Sequence, residues 1–449
     1  HTRYWRDWSS DVCSSDLETG EGEAKDLHLA EQIIEGFTAQ ASGLEAGIDQ
    51  FQIGSEFILG GVVQFGAGRG GDRHQATAGL RRQAGHAAVA GSLPAAIGEL
   101  LVALAGEPQA LVHAIERYNL DHLPGAKTVY SGRTQLQAGL ATLLAGTRRV
   151  AMEYSPNCNI PYVSRVDGGT IELIRSLGVD VVSSGDLIQR FEASWDERAI
   201  ASHRAASEAL YRIKDRAFAE VARRLRDGVA TTEYDIQQKM VGWFADEGLV
   251  SDSAPCVSAQ ENAGDPHYLA TVSKHRVIRK DELVLLDLWG KLAAPGSVYA
   301  DITWMGFAGR EIPEQMTRAF AAIADARDAA VSAIQDAARA GREVRGFEGD
   351  KAARDVLIAR GYEDAILHRT GHSLGESVHG NGAHLDDWET HDERRLIPGS
   401  GFTIEPGLYF KDFGVRTEIN MVWTGAGPEV TGDRKSTRLN SSHANISYA

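Results

Sequence analysis

Cysteine is scarce in this chain, with only Cys13, Cys158 and Cys256 among 449 residues. None forms a pair with metal-site spacing, so no disulfide framework or thiolate metal centre is indicated, and the usage fits a reduced compartment. Basic residues are also few: 46 Lys and Arg stand against 62 Asp and Glu, for a formal net charge of -16. That balance argues against nucleic-acid binding through phosphate neutralisation and against attraction to an anionic membrane surface. Long apolar runs are missing as well, and none approaches the ~20 residues that a membrane-spanning helix needs. What remains is ordinary globular material. The length allows two or three domains, and 43% hydrophobic residues suffice for sizeable cores. The expected location is cytoplasmic.

The two ends differ from the rest. Residues 1–17 and 433–449 have no periodicity connecting them to their neighbours and resemble translated sequencing adapter. They are expected not to be native and are set aside for fold reasoning, the alternative being a disordered tail at each end. Residues 18–100 carry a helical pattern near Leu27–Ile34 but are otherwise a mixture of Gly, Ala, Gln and His with little strand signal. They read as a chimeric or frameshifted stretch. Gly60-Gly61 and Gly68 to Gly71 invite a phosphate loop, yet no strand, lysine and helix follow in the order such a loop requires.

From residue 101 regular patterns return. Leu136, Leu140, Leu143 and Leu144 mark an amphipathic helix, Arg149 to Tyr154 a strand, Ile171 to Leu177 a helix ending at Gly178, and Val179 to Ser184 a further strand. This alternation predicts an α/β layer over 101–190. Phe191 to Arg226 predicts one long helix closed by Gly228. Thr232 and Asp235 resemble a capping box before Ile236, Met240 and Phe244. Pro313 opens another long helix, with Met316, Phe320, Ile323, Val331 and Ile334 on one face and Gly341 as its stop. These stripes read as core.

Chemistry concentrates in five residues, in the order Asp287, Asp301, His372, Glu405, Glu418. Asp287 ends an apolar run from Leu283 to Leu286, a pattern for a strand buried on both faces. Asp301 and Thr303 share a face of the next predicted strand by the period of two. Glu405 precedes Pro406-Gly407, which force the chain out of regular pairing. In the segment Val415 to Trp423, Arg416, Glu418 and Asn420 alternate with apolar residues. His372 and His379 are seven positions apart, too far for one strand or helical turn to bring both to the same ion, so one ligand and one outer histidine is the better reading. His372 taken alone reads as a hydrogen-bonded core histidine. Four carboxylates buried beside it would repel one another without a cation, and that turns it into a ligand.

The ordered Asp, Asp, His, Glu, Glu set resembles the pita-bread metallopeptidase superfamily. Glu405-Pro-Gly-Leu-Tyr409, Gly371-His372 with His379, and Arg416-Thr-Glu418 resemble in particular its proline-specific branch, aminopeptidase P and prolidase. The likeness covers about residues 101 to 430. One departure is the interval of fourteen positions between Asp287 and Asp301, longer than the usual hairpin, which places an insertion near Pro295 and Gly296.

The resemblance implies an α+β fold: a pita-bread catalytic domain over 191–432, preceded by a creatinase-like α/β N-terminal domain over 101–190 that is incomplete. It implies that Asp287 binds one metal terminally, that Asp301 and Glu418 bridge two, and that His372 and Glu405 hold the other. Hard carboxylates with one imidazole favour manganese, with zinc or cobalt as alternatives. The implied reaction is hydrolysis of an Xaa-Pro bond in a peptide or dipeptide with proline second, by a water activated between the two ions, with Glu405 carrying the proton. His379 would stabilise the tetrahedral intermediate and His267 would face the substrate, each against the plainer reading of a loop or core histidine. Arg416 is either an outer partner of a ligand carboxylate or a strand-edge salt bridge. In the proline-specific relatives the N-terminal domain helps close the site across a homodimer. The rival functions are same-fold lyase or small-amide hydrolase chemistry on a non-peptide molecule, and a non-catalytic binding protein.

Overall fold

The computed structural model describes residues 88–92, 99–102, 108–118, 120–121, 125–432 and 447–448. The expectations for residues 1–17, the helical pattern at 27–34, the glycines at 60–71 and most of the adapter-like end at 433–446 lie outside these residues.

Six short strands build the first layer. They are β1 (Ala88–Ser92), β2 (Glu99–Val102), β3 (Gln109–His113), β4 (Ala126–Tyr130), β5 (Arg149–Met152) and β6 (Asp180–Ser183), in the spatial order β4-β3-β2-β1-β5-β6. Helices α1 (Arg133–Leu143), α2 (Gly168–Ser176) and α3 (Gly185–Glu192) connect or follow them. Leu111, Val112, Val150 and Met152 pack with Leu140, Ile171 and Ile174 in one core. The α/β layer is therefore present, but it begins earlier than residue 101. β1 lies inside the sheet, antiparallel to β2 and parallel to β5. Its sequence, AVAGS, has no apolar alternation to announce it, so ladder pairing with its neighbours places it. The strand expected over 149–154 stops at Met152, because the Tyr154 N–H turns back to the Met152 carbonyl at 2.7 Å.

The second region begins with α4 (Glu197–Arg226) and α5 (Glu233–Asp246). The single helix expected from Phe191 to Arg226 is in fact α3 and α4, separated at Ala193–Asp196. The Trp195 N–H donates to the Gly399 carbonyl at 2.7 Å, and the Asp196 side chain accepts from Ala199 N–H at 2.8 Å to start α4 afresh. Tertiary pairing and a new cap thus override a continuous helical pattern.

Strands β7 (Leu249–Val250), β8 (Cys256–Ala259), β9 (Leu283–Leu292) and β10 (Ala300–Phe307) follow, with β9 pairing all three others. After α6 (Glu314–Arg339) and α7 (Gly346–Ala359) come β11 (Ser373–Leu374), β12 (Gly401–Ile404), β13 (Gly407–Tyr409), β14 (Gly414–Arg416), β15 (Ile419–Thr424) and β16 (Gly427–Thr431). These form a sheet β11-β12-β15-β16 and a hairpin β13-β14. A last strand, β17 (Ser447–Tyr448), pairs with Phe307 and Gly306 at the end of β10.

Strand alternation decides which side chains meet. On β9 and β10, Val284, Leu286, Leu288, Ile302 and Trp304 turn outward onto Leu210, Ile213, Phe218, Ile236 and Met240 of α4 and α5. On β12 and β15, Phe402, Ile404, Ile419 and Met421 turn onto Phe320, Ile323, Val331 and Ile334 of α6. Each such buried side chain contributes about 1.5–3 kcal/mol. The opposite parity, carrying Asp287, Asp301, Thr303, Thr403, Glu405 and Asn420, is left for the space between the sheets. Asn420 Oδ1 accepts from Asp301 N–H at 3.0 Å, tying β15 to β10.

Candidate metal centre

Asp287 and Asp301 reach the same face of the β9–β10 ladder, where Asp287 stands opposite Thr303 and Asp301 opposite Trp289. Strand pairing alone sets them one diagonal step apart. The third carboxylate arrives through a break. The strand expected over 415–423 is interrupted at Thr417–Glu418, where the Glu418 N–H donates to the Thr303 carbonyl at 3.2 Å instead of continuing the ladder. That turn lays Glu418 across β10, and its Oε2 accepts from the Thr303 hydroxyl at 2.8 Å.

His372 stands on the segment that leads into β11. Its N–H donates to the Thr403 hydroxyl at 2.9 Å, and the Thr403 N–H donates to its carbonyl at 2.8 Å. Gly371 is required here, because a β-carbon would collide with the Thr403 carbonyl. His372 Nδ1 lies 3.1 Å from the Ser373 carbonyl, which can only accept, so Nδ1 carries the proton. The free Nε2 faces acid: Asp301 Oδ2 at 3.6 Å and Glu405 Oε1 at 3.4 Å. Burial holds the imidazole below its usual pKa, hence neutral.

One potential ligand atom each from Asp301, His372 and Glu418 lies within 4.8 Å of the others. All three residues are buried, at 5%, 4% and 2% exposure. Asp301 Oδ1 and Glu418 Oε1 are buried without a hydrogen-bond partner. Desolvation first, and then repulsion from a neighbouring carboxylate (Asp287 for Asp301, Asp301 for Glu418), push the carboxyls of Asp301 and Glu418 well above the usual range, and burial also raises Glu405. A convergence of acceptors with no donor between them has the chemistry of a cation site, and the residues fit a hard divalent ion.

The other two expected ligands are arranged differently. Glu405, in the gap between β12 and β13, accepts from the Thr403 hydroxyl at 3.0 Å and flanks the trio through His372. Asp287 is ion-paired with Arg416 at 2.5 Å. Arg416 is itself buried, and the carboxylate it pairs with is that of the expected ligand Asp287. Its Nε also donates to the Thr303 hydroxyl at 3.1 Å and its Nη1 to the Tyr409 hydroxyl at 3.0 Å.

His379 is exposed, with its ring edge-on to that of His372 at 4.4 Å between centroids. His267 is exposed on the loop between β8 and β9, next to Pro266, whose carbonyl accepts from Arg416 at 3.2 Å. Two histidines escaped sequence reasoning. His368 Nε2 lies 2.6 Å from the Tyr409 hydroxyl, and burial lowers its pKa to about 3. Buried His384 accepts the Ser373 N–H at Nδ1, 2.8 Å, behind His372. Both occupy irregular backbone, where no periodicity marks the inward direction.

Comparison with known proteins finds dipeptidase relatives. A protein named "probable dipeptidase PepE" in Mycobacterium tuberculosis is 29% identical over 258 residues, 57% of this chain and 63% of that protein. The chain thus spans less than two thirds of that relative's length. The Xaa-Pro dipeptidase of Lactobacillus helveticus is 30% identical over 163 residues, 36% of this chain and 40% of that one. The crystal structure of dipeptidase PepE from Mycobacterium ulcerans superposes with a TM-score of 0.54 at 22% identity, covering 80% of this chain and 94% of that one, which establishes the pita-bread fold with its N-terminal domain. Residues 205–425, which hold all five expected ligands, match metallopeptidase family M24.

Proposed function

We propose that this protein is a metal-dependent hydrolase of Xaa-Pro bonds in short peptides. The observation that carries the proposal is the buried convergence of Asp301, His372 and Glu418, with two orphaned carboxylate oxygens and a neutral imidazole facing them. Asp287 and Glu405 extend this trio to a set that would hold two divalent ions, manganese by preference. When bound, such ions polarise a peptide carbonyl and lower the pKa of water.

The protein's own groups supply the rest. Arg416 holds Asp287 in place, and Thr303 fixes one oxygen of Glu418 while leaving the other free. Glu405 is a partly buried carboxylate with raised proton affinity, suited to carrying a proton to a leaving nitrogen. His379, exposed beside His372, would donate to a developing oxyanion. His267 would contact the substrate. The names of the relatives support a dipeptide or Xaa-Pro peptide as that substrate. A homodimer in the cytoplasm completes the proposal.

The test is a panel of Ala-Pro, Ala-Pro-Ala and the matching Ala-Ala peptides, assayed after chelation and with manganese restored. Cleavage of the proline peptides well above their alanine counterparts, lost to chelator and regained with manganese, is expected. Preference for Ala-Ala would remove proline from the proposal, and full metal occupancy with no peptide turnover would favour non-peptide chemistry or a binding role.

A further inference from the structure

Glu233 opens α5 and is fully buried. A carboxylate in the first turn of a helix ordinarily serves the helix, through its dipole and free N–H groups. Here that work is done by others: Thr232 Oγ1 accepts from Asp235 N–H at 3.0 Å, and Asp235 Oδ2 accepts from Thr232 N–H at 2.9 Å. Glu233 is directed elsewhere. Its Oε1 accepts from Ala259 N–H at 2.7 Å and from the Asn262 amide at 3.0 Å, and its Oε2 accepts from the Tyr268 hydroxyl at 2.6 Å and from Arg276 N–H at 2.8 Å. Every one of these donors belongs to residues 259–276, the segment that runs from the last residue of β8 toward β9. One buried carboxylate gathers both ends and the middle of that segment.

The same segment is held from its other side. Arg416 donates to the Pro266 carbonyl at 3.2 Å while paired with Asp287. Gly414 lies so close to the Ala263 carbonyl that a β-carbon there would collide with it. Gln260, in left-handed backbone at φ 50°, bonds both Leu283 N–H at 3.1 Å and the Asp412 carbonyl at 3.0 Å. Between these anchors His267 is exposed, one residue from the carbonyl that Arg416 binds.

We propose that Glu233 is a positioning residue for substrate binding, acting through His267: it clamps the 259–276 loop so that the His267 imidazole is presented at the mouth of the metal cleft. This rests on the peptidase reading above. A buried charge whose acceptors are all satisfied by one loop fixes that loop in a single arrangement, since each lost bond to a charged group leaves a desolvated partner.

The experiment is a double-mutant cycle on the full chain with Ala-Pro as substrate, supported by hydrogen–deuterium exchange. Glu233→Gln keeps an acceptor for Ala259 but turns an N–H toward that of Arg276. It is expected to raise KM about tenfold, the scale of one lost hydrogen bond to a charge, with kcat and bound metal little changed. Tyr268→Phe removes a single donor and should act in the same direction by less, which keeps the test open should Glu233→Gln fold poorly. His267→Ala should raise KM similarly, and the Glu233→Gln/His267→Ala double variant should be no worse than His267→Ala alone. Additive effects would overturn the proposal, because a purely structural Glu233 does not depend on His267. Exchange provides the readout independent of turnover: amides of 259–276 should exchange faster in Glu233→Gln, while those of α6 stay unchanged. Unaltered exchange in the loop overturns the clamp whatever the chemistry. Absence of peptide cleavage by the unmodified protein overturns the peptidase reading instead.

Discussion

Asp287 and Asp301 stand one diagonal step apart on paired strands, yet their surroundings are opposite. Asp287 has the Arg416 guanidinium at 2.5 Å, so its charge is partly balanced within the chain before any ion binds. Asp301 has an oxygen with no donor and shares its space with Glu418 and the lone-pair side of His372. Burying a carboxylate is costly unless its charge is compensated. One side of the cleft meets that requirement from within the chain, and the other leaves it to an ion. The difference teaches that a cluster of buried acids is not uniform: the atoms left unsatisfied, more than the acids themselves, mark where a cation belongs.

The largest effect should come from the unsatisfied side. Asp301→Asn removes one of the repelling charges, so metal-free protein should be at least as stable as the parent, while manganese no longer binds and activity falls to background. Thermal melts with and without manganese check this: the parent should gain roughly 2.7 kcal/mol at a hundredfold excess over Kd, and the variant nothing. An Asp301→Asn protein with full metal content would break the distinction between the two sides.

Arg416→Met probes the satisfied side and should behave in reverse. It strands Asp287 without its partner and should destabilise metal-free protein by about 3–5 kcal/mol, the usual cost of half a buried pair. Urea titration of the metal-free variant measures it, and a loss below about 1 kcal/mol would show that Arg416 does not balance Asp287.

His379→Ala separates chemistry from metal holding. The ring touches His372 but is exposed, so metal content should remain while kcat falls on the order of 10²-fold, as for other single oxyanion donors. Loss of metal equal to that in His372→Ala would place His379 among the ligands.

The smallest expected effect concerns a buried polar group satisfied wholly within the chain. His203 Nδ1 bonds the Tyr299 carbonyl at 2.8 Å and Nε2 the Thr431 hydroxyl at 2.7 Å, and burial lowers its pKa from 6.5 to about 4. Below pH 6.5 the unfolded state binds a proton that the folded state refuses. The stability contributed by neutral His203 is therefore complete above that pH and lost as pH falls toward 4, by at most on the order of 3 kcal/mol. Denaturation midpoints across that range should fall less steeply in His203→Gln than in the parent, and equal slopes would remove His203 from the account.

Much of this architecture was legible in local pattern. The run Leu283–Asp287 gave a strand buried on both faces, Thr232 and Asp235 gave a capping box, and Pro406-Gly407 marked the strand end at Glu405. Each rests on neighbours in the chain, which side-chain period and backbone stereochemistry make readable. The failures share a cause. The helix break at Ala193–Asp196 depends on Gly399, the strand break at Thr417–Glu418 on Thr303, and the central strand β1 on pairing with β5. Their partners are distant in sequence, and nothing local encodes them.

The sequence by itself determined the supply of chemistry: a chain poor in cysteine and basic residues, with acids and a histidine at strand ends, whose period of two assigned them to a common face. Only the tertiary structure decided their condition. It paired Asp287 with Arg416, left Asp301 and Glu418 with orphaned oxygens, and bound the His267 loop to Glu233. The reason is physical: a residue's identity fixes which charge and hydrogen bonds it can offer, whereas burial and the neighbours brought to it by folding fix which of these are already taken.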